Sequence, residues 1–272
     1  MDRRLTPATD RVAHVSLRGQ LERPAWTEGQ PLRVSVALVD LLRAPDGARD
    51  RQLWLGERFT VVDRARGFAF GFAEKDGFCG WLPEEVLAEA PEPSHWVASP
   101  GTHLYPEPRS AAREIAALPQ GARLAVVGQS GKFAETTQGF VPMRHLLPLG
   151  QWLTDPVAVA EGLLHTPYLW GGNSRHGIDC SGLVQLAFHA CGCSIPGDSD
   201  LQEAALAPIS AEAAGRGDLV FWKGHVAILT GPGRILHANG WTMSVAHEGL
   251  AEAIARIRSQ GEGEPTSYRR VG

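Results

Sequence analysis

Residues 217–239, GDLVFWKGHVAILTGPGRILHAN, leave the chain few options, because apolar, β-branched runs flank the turn Gly231-Pro232-Gly233. The stretch reads as three consecutive strands, at 219–222, 225–230 and 234–237. Strands joined by so short a turn are antiparallel neighbours, which sets the start of one beside the end of the next. His225 opens the second strand and His237 closes the third, so the two rings are expected side by side. That is the arrangement of a base and the group that orients it. The alternative is two unrelated strand-end histidines on a sheet surface.

A nucleophile for such a base lies upstream, in residues 167–182, PYLWGGNSRHGIDCSG. Gly171, Gly172 and Asn173 break the preceding structure, and Gly177 allows a tight turn. Leu183, Val184, Leu186, Ala187 and Ala190 then recur at helical spacing, which predicts a helix from near Asp179 to about Cys191. Cys180 falls in its first turn. Unpaired backbone N–H groups and the positive end of the helix dipole favour a thiolate there and supply donors for an oxyanion. A cysteine at a helix start is inert more often than not, so the assignment of Cys180 as nucleophile rests on the histidine pair.

Six short motifs, PYLWGG, DCSGLVQLAF, DSDLQ, GDLVFW, GHVAIL and ILHAN, follow one another in this order. Together they resemble the NlpC-type papain-like cell-wall peptidases, over about residues 152–272. The resemblance implies an α+β papain-like fold in which Cys180, His225 and His237 take the three catalytic positions. It implies hydrolysis of the bond between γ-D-glutamate and a diamino acid in murein stem peptides, with neither metal nor cofactor. It also implies roles for neighbouring residues. Tyr168 would stand at the mouth of the site and offer its hydroxyl to the oxyanion or substrate. Asp179 and Ser181 would touch the free amine of the substrate's first residue, and Asp179 suits a helix cap as well. Asp198 and Ser199 match an Arg-Asp-Ser segment that reads the glutamate carboxylate, with Gly197 standing where the family often has arginine.

Ahead of residue 150 the chain repeats itself. Leu53-x-x-Gly56-x-Arg58-Phe59-x-Val61-Val62 returns as Leu118-x-x-Gly121-x-Arg123-Leu124-x-Val126-Val127, and Phe68-Ala69 returns as Phe133-Ala134 in the same register. Gly77-Phe78 is expected to answer to Gly139-Phe140. Two small β-barrels follow, at 32–90 and 94–149, after an ambiguous polar extension at 1–31. QLWLGERFTVV and DGFCGWLP resemble bacterial SH3-like barrels, common companions of this catalytic domain. By that resemblance the first barrel would close the subsite for the substrate's N-terminal residue, with Glu57 as the amine-binding acid. Phe78 would stand in place of a tyrosine. Trp81 is expected in the core, and a helix is expected at 155–164 with Thr154 or Asp155 as cap.

At 43% hydrophobic residues the chain can fill a core in each of several units, and its net charge of −4 comes without a Lys/Arg run that would suggest nucleic acid or an anionic membrane. No window is long and apolar enough for a membrane span. The first residues lack the apolar stretch of a secretory signal, so a cytoplasmic location is the expectation, and with it imported murein fragments instead of intact wall. The same compartment suits four cysteines, Cys79, Cys180, Cys191 and Cys193, as free thiols. C-x-C at 191–193 is not a zinc spacing, and His176 reads as a loop histidine. The leading expectation is a cysteine endopeptidase of murein peptide recycling that requires a free N-terminal L-alanine. Two other readings are a non-catalytic wall-binding protein and a thiol acyltransferase using the same cysteine and histidine. The second is opposed by the chain order of the two residues.

Overall fold

The computed structural model describes residues 1–272 and divides into two units, Met1–Leu149 and Gly150–Gly272. In the first unit, runs of alternating apolar residues fold into an antiparallel seven-stranded sheet. Its spatial order is Arg49–Trp54, Leu38–Leu42, Cys79–Pro83, Phe68–Ala73, Arg58–Ala65, Gln30–Val34 and Leu87–Ala88. Leu41, Leu53, Phe59, Ala73 and Leu82 fill its interior. The remainder, His95 to Pro148, forms shorter antiparallel sheets around Trp96, Leu118, Ala134 and Val141. Both barrels therefore fall in one compact unit. Residues 1–31 belong to the first barrel: Val12–His14 pairs in parallel with Ala25–Thr27, and Arg3 and Arg11 form ion pairs with Asp50 and Asp63.

The internal repeat is structural, with one change of register. Each copy is a three-stranded meander with a bulge in its first strand, at Val61/Asp63 and at Val126/Gly128, followed by a 3-10 turn after a proline. Phe68 pairs with Pro83 and Phe133 with Pro142, so Gly80-Trp81 is the counterpart of Gly139-Phe140. The expected match of Gly77-Phe78 to that pair is wrong. Residues 72–79 connect positions that only 137–138 connect in the second copy, and this longer hairpin end carries Lys75, Asp76 and Phe78. Trp81 is only half-buried, tilted against Phe70, because its counterpart face is the outer one.

The second unit is built on a six-stranded antiparallel sheet in the order Ala207–Ile209, Ser267–Arg270, Leu219–Trp222, His225–Gly231, Arg234–Asn239, Ser244–Gly249. Helix α1, Pro156–Glu161, is capped by Asp155, whose Oδ1 accepts from the N–H groups of Val157 and Ala158. Helix α2, Cys180–Ala190, packs against α1 and the two central histidine-bearing strands, and its Leu183, Val184 and Ala187 are fully buried. Helix α3 spans Ser199–Ala205, and α4 spans Leu250–Ser259. Ala253 and Ile257 of α4 cover the other side of the sheet over Val220, Trp222, Ala227, Leu229 and Ile235. A sheet sandwiched in this way places a helix start and strand ends at one rim.

Candidate active site

Asp179 starts α2 with extended backbone, and its carboxylate is fully engaged in shaping the nucleophile's turn. Oδ1 accepts from the Gly182 N–H at 2.7 Å and the Ser181 hydroxyl at 3.0 Å, and Oδ2 accepts from the Gly171 N–H at 2.9 Å. The cap satisfies one orphan donor of the helix and ties the preceding loop to it. Gly182 is required by proximity: a Cβ there would lie 2.5 Å from the Gly172 carbonyl oxygen. The sulfur of Cys180 receives backbone N–H groups from Ser181, from Cys180 itself and from Val226, the neighbour of His225. The strand thus brings the His225 ring beside the sulfur.

The histidine pair is in contact. His225 Nε2 lies 2.9 Å from His237 Nδ1, and His237 Nε2 lies 3.0 Å from Glu248 Oε2. Arg256 of α4 grips that glutamate side-on, its Nε donating to Oε1 at 2.9 Å and its Nη2 to Oε2 at 2.7 Å. This chain assigns the protons. Arg256 beside Glu248 holds its carboxyl below the usual range, so Glu248 is an anion that only accepts. His237 must then carry its proton on Nε2, which leaves Nδ1 as acceptor. His225 donates to it from Nε2, and the free lone pair of His225 Nδ1 is left for the cysteine.

Neither Glu248 nor Arg256 is among the residues the sequence singled out. Glu248 pairs with Ile235 on the adjacent strand, so it shares a face with His237 two residues on. The available signal was the alternation of Ala246 and Glu248 along Ser244–Gly249, but the register that aligns it with His237 is set by the loop at 240–243.

Burial governs the charges here. Desolvation, followed by the charge of Asp179, pushes the Cys180 thiol up to about 12 despite the N–H groups aimed at the sulfur. Desolvation, followed by His237 and Arg256, pushes His225 down to about 3. His237 is also lowered, to about 4, by burial that outweighs the attraction of Glu248. The helix start alone therefore does not make a resting thiolate, contrary to the expectation. The resting pair is a neutral thiol and a neutral imidazole, with the proton transferred as the sulfur attacks.

Tyr168 is half-buried near Cys180 and Asp179, and burial together with their negative charge raises its phenol, which stays protonated as a donor. Ser181 is buried, with its hydroxyl turned to Asp179. Asp198 is the N-cap residue of α3 and Ser199 its buried first residue. Gln202, one turn on, was not singled out although it lies within the DSDLQ motif. Its fully buried amide donates to the carbonyls of Ser181, Pro196 and Gly197, joining the nucleophile's turn to the 196–199 segment. His176 sits exposed in the turn between Asn173–Ser174 and Gly177–Ile178.

Glu57 and Phe78 belong to the first unit. Glu57 is buried, accepts from Lys75 Nζ at 2.7 Å and from the Trp54 N–H at 3.3 Å, and its Oε2 has no protein partner. Phe78 is fully buried beneath the Arg51 guanidinium, 5.2 Å from its ring centroid.

A papain-like sheet, a cysteine at a helix start and a histidine relay define a thiol hydrolase of the cell-wall peptidase type. Residues 165–258 match the NlpC/P60 family, and residues 41–87 match the bacterial dipeptidyl-peptidase Sh3 domain. A γ-D-glutamyl-L-lysine dipeptidyl-peptidase of Bacillus cereus is 27% identical over 78% of this chain and 72% of its own length. A protein of the same name from Bacillus subtilis is 30% identical over 65% of this chain and 66% of its own length. An NlpC/P60 family crystal structure from Bacillus cereus superposes with a TM-score of 0.76 at 22% identity, over 89% of this chain and 99% of the other. The chain is an NlpC/P60 family protein with an SH3-like domain before its papain-like peptidase domain.

Proposed function

We propose that the protein hydrolyses the bond between γ-D-glutamate and a diamino acid in short murein peptides that begin with a free L-alanine, as a step in murein peptide recycling in the cytoplasm. The observation that carries this is the relay from Arg256 through Glu248, His237 and His225, which leaves one unprotonated ring nitrogen beside the Cys180 sulfur. Cys180 attacks the γ-carbonyl carbon while its proton passes to His225 Nδ1. The N–H groups at the start of α2 hold the oxyanion, and the Tyr168 hydroxyl stands near enough to add to them. His225, now cationic, is stabilised through His237 by the Glu248 carboxylate. It returns the proton to the departing amine, which leaves a thioester. Water then attacks the thioester with His225 as base, and the free carboxylate and the thiol result.

The two Bacillus relatives are named for γ-D-glutamyl-L-lysine dipeptidyl-peptidase activity, and that name supports the bond chosen. The requirement for a free amine is supported by acidic chemistry: the charge of Asp179 beside Ser181, and the unpartnered Oε2 of Glu57. Asp198 and Ser199 are the proposed readers of the glutamate carboxylate. The test is incubation with L-Ala-γ-D-Glu-diaminopimelate, free and N-acetylated, with products weighed by mass spectrometry. Release of L-Ala-γ-D-Glu from the free peptide alone is expected. Equal cleavage of both would remove the amine requirement, and cleavage of neither by folded protein would remove the peptidase reading. Cell fractionation with an antibody tests the cytoplasmic placement.

A further inference from the structure

On the α4 side of the relay lies a cavity of about 280 Å³ that begins at the His225 ring. His225 is the group that protonates the departing amine, so a cavity starting there lies on the leaving side of the scissile bond. Its polar groups are unevenly committed. Arg256 spends Nε and Nη2 on Glu248 and reaches Gln260 Oε1 from Nη1 at 3.3 Å, which leaves N–H donors of the outward edge, on Nη1 and Nη2, uncommitted. Gln260 keeps its own amide N–H groups. Asn239 is buried, its Oδ1 accepts from the N–H groups of Trp241 and Thr242, and its Nδ2 donor has no protein partner. Opposite in sign, Glu262 lines the same cavity with an exposed carboxylate. Trp241, 67% exposed, supplies an aromatic wall 5.9 Å from the guanidinium.

Spare donors around one fixed cation call for a carboxylate, and the uncommitted acid calls for an ammonium. An exposed indole between them suits a short aliphatic stem. We propose that this cavity is a leaving-side subsite that receives the zwitterionic α-amino-acid end of the departing diamino acid's side chain. Arg256, Asn239 and Gln260 take its carboxylate, Glu262 takes its ammonium, and Trp241 packs on its methylenes. Diaminopimelate carries such an end, whereas lysine carries the ammonium alone and would leave the donors empty. The inference rests on the peptidase reading and adds to it a choice among leaving groups.

Four substrates separate the two. L-Ala-γ-D-Glu-p-nitroanilide has no leaving-side amino acid and reports the chemistry alone. The tripeptides end in meso-diaminopimelate, in its side-chain carboxamide, or in L-lysine. The diaminopimelate peptide is expected to exceed both other peptides by at least about tenfold in kcat/KM, since removing one partner of a built polar site costs at least that much. Glu262→Gln is expected to lower the ratio of peptide to anilide hydrolysis for all three peptides, about five- to tenfold. Equal rates on the three peptides, or a preference for lysine, with the anilide cleaved would overturn the subsite and leave the peptidase reading standing. No hydrolysis of any of the four by folded protein would remove that reading and the subsite's occupant with it.

Discussion

The protein buries an ionic network in each of its units, and the two end differently. In the first barrel, Lys75 is paired with Glu57 and stacked 4.1 Å from the Trp54 ring, while Arg51 pairs with Asp76 at 3.0 Å beside it. Burial lowers Lys75, with Glu57 and Asp76 opposing the shift. In the catalytic unit, Arg256, Glu248, His237 and His225 form a row in which every proton is spoken for until the last nitrogen, which faces a thiol. The first network matches each cation with an anion of its own. The second is left with one unused basic atom. A buried charge pair is weak evidence of net stability, because desolvation offsets the attraction, whereas an open-ended row of neutral donors and acceptors transmits a protonation preference to its free end.

The largest expected effect breaks the open end. Cys180→Ala should lower hydrolysis of the γ-D-glutamyl peptide by about 10⁴-fold or more with circular dichroism unchanged. Retained activity would show that the free nitrogen of His225 serves something other than this sulfur. Next, the closed network should fail when one charge is removed. Lys75→Met leaves Glu57 buried without its cation and should lower the unfolding free energy by about 3–5 kcal/mol in urea titrations. The double variant Glu57→Leu/Lys75→Met should recover most of the loss, and a double variant no more stable than Lys75→Met would contradict the pairing.

A third effect follows from pH. His225 and His237 titrate near about 3 and about 4 in the folded protein, below the ordinary histidine value of 6.5. Between those limits the unfolded chain binds protons that the folded one refuses. Stability is therefore complete above pH ~6.5 and falls as pH drops towards 4, by about 1.4 kcal/mol per pH unit per histidine. Urea titrations at pH 7.5 and pH 5 should show a smaller loss for His237→Gln than for the unaltered protein, and equal losses would refute the neutral assignment. The smallest effect lies furthest from the sulfur. Glu248→Gln keeps an acceptor for His237 but removes the charge that steadies the cationic His225. It should lower kcat about tenfold, roughly 1.4 kcal/mol of barrier, with KM little changed. A change in KM alone would point to a purely structural role.

The two networks were unequally legible. His225 and His237 were found because a short turn forces strand neighbours together, and Cys180 because helical spacing marks where α2 begins. Strands at Leu219–Trp222, His225–Gly231 and Arg234–Asn239 lie within two residues of expectation. Glu248 and Arg256 escaped because their meeting with His237 depends on the register across a loop and on which side of α4 faces the sheet. In the barrels, matching Gly-aromatic pairs by eye put Phe78 opposite Phe140. Strand pairing shows that an enlarged hairpin end had displaced the repeat, because an insertion of even length keeps the alternation of faces and leaves no trace in the pattern.

Local rules acting on the chain by itself determined the helix that carries Cys180, the hairpin that couples its two histidines, the α+β character of the catalytic unit and the two β repeats before it. These depend on spacing and turn chemistry over a few residues. Tertiary structure alone decided which nitrogen of His225 is free, that Cys180 rests as a thiol, and that Glu57 is held by Lys75. Each of those depends on desolvation and on partners distant in sequence, and the balance between a helix start and burial exists only once the surrounding walls are in place.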